Sequence, residues 1–204
     1  MKSISIHLEK ISKRFGRQWI IQDFTDSFTS GEIVGIKGRN GSGKSTLLRM
    51  ICGQLTPSRG SIRLSIDGKE IPAAERYRHV SWTGPYLEII EELTILEFLN
   101  FHFKLKPLLP GLEISDIPAR LELDQVRNRK LTDCSSGMRQ RVLLGSALYA
   151  ATEMLLLDEP TVTLDEEAAE WFHRELNEFR ANRLVFVASN DPDDLRDCAR
   201  IVEL

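Results

Sequence analysis

Residues 38–46 read Gly38-Arg39-Asn40-Gly41-Ser42-Gly43-Lys44-Ser45-Thr46, a complete G-x-x-x-x-G-K-[ST] phosphate loop. An apolar stretch, Ile33-Val34-Gly35-Ile36, precedes it and a helical one, Thr46-Leu47-Leu48-Arg49-Met50-Ile51, follows. This strand, loop and helix order is the context in which the motif has meaning, and it points to an α/β fold. Gly38, Gly41 and Gly43 permit positive φ and keep side chains clear, so successive backbone N–H groups can wrap the β- and γ-phosphates of a nucleotide. The helix starting near Lys44 turns its positive end toward the same anion. Lys44 can neutralise phosphate charge, Ser45 can offer its hydroxyl to Mg²⁺, and Thr46 can hydrogen-bond the α-phosphate.

Far downstream, Leu155-Leu156-Leu157-Asp158-Glu159-Pro160 supplies the complementary chemistry. Met154 to Leu157 reads as a fully buried strand, which leaves Asp158 at its carboxyl end, where parallel sheets put their ligands. From there Asp158 can hold Mg²⁺ directly or through water, while Glu159 polarises the water that attacks the γ-phosphate.

With 204 residues, one domain carrying an inserted subdomain is the expected organisation. Its net charge of −3 argues against a chain-wide polyanion-binding surface, so no nucleic-acid partner is expected. Apolar runs fall short of the roughly 18 residues a spanning helix needs, and Met1 to Leu8 alternates where a signal segment would be continuously apolar. Any membrane role therefore requires a partner. Cys52, Cys134 and Cys198 are widely spaced without paired metal spacing, as expected of reduced thiols in a cytoplasmic protein.

Strands are expected at Ile4 to Leu8, Trp19 to Ile21, Ile33 to Lys37 and Ser61 to Ile66, the last followed by the turn Asp67-Gly68. Between Glu91 and Leu131 the pattern turns helical, opened by the capping box Thr94-Ile95-Leu96-Glu97. Pro107 to Gly111 ends one helix and Ile117 to Leu121 begins another. Asp165 is an N-cap for a helix whose Ala168, Trp171, Phe172, Glu175, Leu176 and Phe179 recur at helical spacing, a stripe read as packing. Leu184 to Ala188 is a buried parallel strand.

Between the two nucleotide motifs lies Leu131-Thr132-Asp133-Cys134-Ser135-Ser136-Gly137-Met138-Arg139-Gln140-Arg141, and here the chain resembles the ATP-binding cassette (ABC) family. Cys134 to Met138 aligns with that family's Leu-Ser-Gly-Gly-Gln signature, keeping the first serine and the second glycine. Ser135, Ser136 and Gly137 open a helix running from Arg139 to Ala150, so a hydroxyl, backbone donors and a helix dipole can converge on an anion. The resemblance implies that this loop completes the ATP site of an opposing subunit, two chains enclosing two nucleotides head to tail. It also implies that Phe15, followed by Gly16, stacks on adenine, although a turn-flanking core aromatic fits the same residues. Leu164-Asp165 resembles the loop that contacts the partner subunit, and Asp165 can serve there and as a cap.

Two departures accompany these agreements. The family's glutamine between phosphate loop and signature is missing: no glutamine lies between Gln54 and Gln125, and Pro85 stands nearest its place in the stretch Val80 to Glu88. Either water or a group such as Glu88 completes the metal shell, or coupling is altered. Asn190 in Ala188-Ser189-Asn190-Asp191 replaces the family's switch histidine, and it can donate an amide hydrogen bond yet carries neither proton nor charge.

The resemblance thus implies a P-loop NTPase of ABC type, a RecA-like parallel-sheet core (1–84 and 142–204) with an antiparallel β-subdomain and an inserted helical subdomain (85–141). Its expected function is an ATPase subunit, cytoplasmic and peripheral at the inner face of the membrane, that binds ATP and Mg²⁺, forms a homo- or heterodimer and powers an integral membrane permease. The segment Trp82 to Phe103, with Tyr86 and Leu87, is either the permease docking surface or subdomain core. A degenerate regulatory ATP-binding subunit with weak turnover, and a soluble ABC ATPase outside transport, stay open beside it.

Overall fold

Alternating apolar residues at Ile4, Ile6 and Leu8 open β1, Ile4–Phe15, which hydrogen-bonds antiparallel to β2, Gln18–Thr29. The computed structural model describes residues 2–85, 87–180 and 182–204, so Tyr86 lies outside the described residues. Both strands run well beyond the expected Ile4 to Leu8 and Trp19 to Ile21. Register shifts between Leu8 and Arg14, with Lys10 at φ 46°, break the alternation that a sequence reader follows. β2 is an edge strand, so its outer positions stay polar without losing the ladder.

These strands belong to a compact unit formed by Met1–Trp82, Thr152–Glu159 and Arg180–Leu204. It holds two sheets. The first has the order β2-β1-β4-β5, with β4 at Arg59–Ile66 and β5 at Lys69–Glu70, and its pairings are antiparallel. The second has the order β6-β7-β8-β3-β9, comprising β3 (Ile33–Lys37), β6 (Val80–Thr83), β7 (Met154–Asp158), β8 (Leu184–Ser189) and β9 (Arg200–Glu203). β8 pairs in parallel with β7 and β3, and β3 with β9. Every residue of β7 and β8 is buried, which is why both read as unbroken apolar runs. Helix α1, Lys44–Ile51, packs Leu47, Leu48, Met50 and Ile51 into a core with Ile4, Ile6, Val34, Leu156 and Phe186. Phe28 and Phe186 meet edge to face at 4.9 Å in the same unit.

β9 has no counterpart in the sequence reading. Only Val202 of its four residues is buried, so nothing in Arg200 to Glu203 announces a strand; the open edge of β3 recruits it.

The second unit, Thr83–Ala151 with Pro160–Phe179, is helical. Helix α2, Ile95–Leu105, starts on the expected capping box: Thr94 Oγ1 accepts from the Glu97 N–H and the Glu97 carboxylate accepts from the Thr94 N–H. α3 is a single turn, Ile117–Arg120; α4 spans Ser136–Leu148 and α5 Glu166–Phe179. Asp165 caps α5 by accepting the Ala168 N–H at 2.9 Å. Ala168, Trp171, Phe172 and Leu176 are buried, and Trp171 Nε1 donates to the Arg120 carbonyl, so the helical stripe is packing as expected. Glu175 is buried too, its carboxylate accepting the Tyr149 hydroxyl at 2.7 Å with Arg120 at 3.6 Å. Burial first, then the bond to Glu175, raises the phenol's pKa.

Tyr149→Phe deletes one hydrogen bond to a buried carboxylate, and we expect a loss of about 2 kcal/mol. Urea unfolding should show a lower midpoint at constant slope. An unchanged midpoint would show that the hydroxyl contributes nothing net.

Candidate functional site

β8 lies between β3 and β7, and Ala188 is the register neighbour of both Ile36 and Asp158. Three carboxyl ends therefore emerge side by side, and the residues just beyond them share one edge of the sheet. The phosphate loop leaves β3 here. Gly38 approaches the Leu204 carbonyl so closely that a Cβ would sit 2.8 Å from it, and it crowds the Ser42 hydroxyl as well. Gly43, the residue before α1, has φ 110°, and a Cβ there would lie 2.8 Å from Ile20 of β2. Arg39 and Asn40 lie on the exposed turn between them, closed by the Ser42 N–H donating to the Arg39 carbonyl at 3.0 Å, with Gly41 at φ 84°.

Lys44 is 5% exposed, and its ammonium is held by the Gly38 carbonyl at 2.9 Å and by the Glu159 carboxylate at 3.5 Å. The lysine thus reaches back across the base of its own loop. No acidic residue occupies the first turn of α1, so the helix N-terminus keeps its positive end for an external anion. Thr46 is half-buried in the same turn. Ser42 Oγ is buried and makes no hydrogen bond among the described residues, leaving a polar atom in the loop available to a ligand.

Ser45 and Asp158 are hydrogen-bonded through their side chains. Burial pushes the Asp158 carboxyl above its ordinary value; the Ser45 bond opposes this, the Glu159 charge adds to it, and Lys44 and Arg49 oppose it. Glu159 follows with φ 48°, its N–H donating to the Ala188 carbonyl at 2.8 Å. That left-handed turn lets Asp158 face α1 while the next carboxylate reaches Lys44. A hydroxyl beside a buried carboxylate is a hard oxygen pair of the kind Mg²⁺ takes when phosphate oxygens and water fill the other positions. The donor set fits Mg²⁺ bound with a nucleotide, and among the described residues no cluster of three metal-ligating His, Cys, Asp or Glu side chains forms.

Asn190 sits just past β8 and is exposed. It faces a cavity of about 580 Å³ bounded by Gly38, Arg39 and Asn40 of the loop and by Lys37, Glu203 and Leu204 at the ends of β3 and β9. Ser189 and Asp194 fix this turn: the Ser189 hydroxyl donates to the buried Asp194 carboxylate and accepts the Asp191 N–H at 3.0 Å. Sequence reading passed over both residues, although Ser-Asn-Asp-Pro-Asp-Asp is a run of side chains that bond their own backbone. It also passed over Lys37 and Glu203, which reach the cavity only because β9 pairs with β3.

Phe15, 51% exposed, ends β1 with the Lys13 ammonium 5.3 Å from its ring centroid. Its hairpin continues into the β2 residues, Ile20 and Ile21, that touch Gly43. In the helical unit, Ser135 caps α4 by accepting the Met138 N–H at 3.2 Å, and Ser136 with Gly137 forms the first turn. Ser135 and Ser136 are exposed, and no acid occupies that turn. A Cβ on Gly137 would touch the Thr163 carbonyl at 3.4 Å. Pro85 and Glu88 are both exposed.

The family model described as "ABC transporter" matches residues 21–162. The spermidine/putrescine import ATP-binding protein PotA of Bacillus anthracis is 32% identical across 99% of this chain and 63% of its own length. The sulfate/thiosulfate import ATP-binding protein CysA 2 of Rhizobium meliloti (strain 1021) is 28% identical across 98% of this chain and 57% of its own. This chain therefore spans 57% to 63% of those two relatives. A solved structure of the ATP binding subunit of an ABC transporter superimposes with a TM-score of 0.79 at 26% identity, covering 98% of this chain and 85% of that one.

Because the folded protein holds the Asp158 proton more tightly than the unfolded chain does, nucleotide-free stability falls as pH rises from the ordinary carboxylate range through the raised folded value. Asp158→Asn should flatten that slope and raise stability above it, read by urea unfolding between about pH 4 and 7. A variant with the same slope as the natural protein would contradict the assignment.

Proposed function

This chain belongs to the ABC transporter family, and from that membership we propose that it is an ATP-binding and ATP-hydrolysing subunit that dimerises around Mg-ATP to power a separate integral membrane permease. The observation that carries the proposal is the convergence of Lys44, Ser45, Asp158 and Glu159 beside the phosphate loop. The fold likeness to an ATP binding subunit and the import functions in the two relatives' names support transport over a nucleic-acid role.

In this reading the N–H groups from Gly38 to Thr46 bind the phosphates, Lys44 offsets their charge, and Phe15 stacks on the adenine. Ser45 and Asp158 would hold Mg²⁺, which would supply neutralisation of phosphate charge there. Glu159 orients the attacking water and draws on its proton, while Asn190 donates an amide hydrogen bond to the terminal phosphate. Ser135, Ser136 and Gly137 present a capped helix terminus to the nucleotide of a second subunit. No helix among the described residues is long and apolar enough to cross a membrane, so in this reading the permease supplies the span and holds the subunit at the inner face.

Asn190 favours a second reading, a regulatory subunit with weak turnover, because an amide cannot supply the charge of a protonated imidazole. Steady-state ATP hydrolysis separates the two. Glu159→Gln should lose about 100-fold or more in turnover if the glutamate activates water. Asn190→His should exceed the natural protein if charge limits it, and equal rates in all three would contradict both role assignments.

A further inference from the structure

The cavity beside Asn190 is lined by three charged side chains, two of them cationic. Lys37 and Glu203, of opposite charge, are register partners on the adjacent parallel strands β3 and β9, so their side chains stand on the same face. Arg39 lies on the turn of the phosphate loop and lines the same cavity. It is exposed, and its guanidinium makes no hydrogen bond or ion pair with another described residue. Lys44, by contrast, is already held by the Gly38 carbonyl and Glu159. A cation of the phosphate loop itself therefore shares a cavity of about 580 Å³ with the asparagine that lacks a charge.

We propose that Arg39 and Asn190 together contact the terminal phosphate, Asn190 giving a hydrogen bond and Arg39 the positive charge. This rests on the ATP-binding reading and adds a residue to it. The physical fit is direct. A guanidinium stays protonated at any working pH and presents paired N–H donors that match two oxygens of one phosphate. An ammonium in that place would be a point charge, and the amide of Asn190 alone leaves the terminal phosphate's charge unanswered at this end of the site. Because ADP lacks the phosphate assigned to Arg39, loss of Arg39 should be felt in ATP binding and little in ADP binding.

Calorimetry with Mg-ATP and Mg-ADP on the full chain carrying Glu159→Gln, which slows hydrolysis, tests this without reading turnover. Adding Arg39→Gln should weaken ATP about tenfold and leave ADP within about twofold, whereas Arg39→Lys should keep part of the preference. Adding Asn190→His to Arg39→Gln should restore the ATP preference near pH 5.5 and not near pH 8, because imidazole carries its charge only below about pH 6.5. Equal effects of Arg39→Gln on both nucleotides, no effect on either, or no pH-dependent rescue would overturn the assignment of charge. If the natural chain bound ADP and ATP alike, this inference alone would fail; if it bound neither, the ATP-binding reading would fall with it.

Discussion

A buried lysine ammonium sets the terms for everything around the phosphate loop. Taking Lys44 out of water costs several kcal/mol unless partners replace the solvent. The partners are the Gly38 carbonyl, from the start of the same loop, and Glu159, more than a hundred residues further along the chain. Holding the first fixes the curl of the loop; holding the second requires β7 to end where it does. The parallel register supplies that, since Ala188 lies against Ile36 on one side and Asp158 on the other. Sheet topology and loop chemistry thus constrain each other.

The two carboxylates at the end of β7 have opposite environments although they are neighbours. Asp158 is buried against Ser45 and holds its proton more tightly than an exposed carboxyl would; Glu159, turned outward by its left-handed backbone, faces Lys44. Such a division suits a site in which one acid takes a metal and the next handles water. A cation arriving at Asp158 relieves the cost of burying its charge, so the nucleotide-free state is less stable than it could be, as functional sites commonly are.

How much of this was legible in the sequence depended on how local the signal was. The phosphate loop, the apolar run into Asp158 and the Thr94 and Asp165 caps are short patterns whose meaning needs no distant residue, and each forms its expected element. Signals that required a neighbour's edge were hidden. β9 exists because β3 has a free side, and with it come Lys37 and Glu203 at the cavity. Bulges concealed the length of β1, and an edge position concealed that of β2. Ser189 and Asp194 were hidden for another reason: a run of small polar residues marks a turn without saying which side chain turns inward. Ser135 is legible as a helix cap, while the role proposed for Ser135 and Ser136 toward a second subunit comes from resemblance and not from the residues.

If Lys44 and Asp158 meet at one metal-bound triphosphate, nucleotide uptake depends on both the metal and the lysine. Titrating purified protein with ATP in a calorimeter, with and without Mg²⁺, decides the matter. The expected result is saturable, Mg²⁺-strengthened uptake that Lys44→Ala weakens about 100-fold or more. The absence of any binding heat in the natural protein, or an unaltered isotherm for Lys44→Ala, would contradict it.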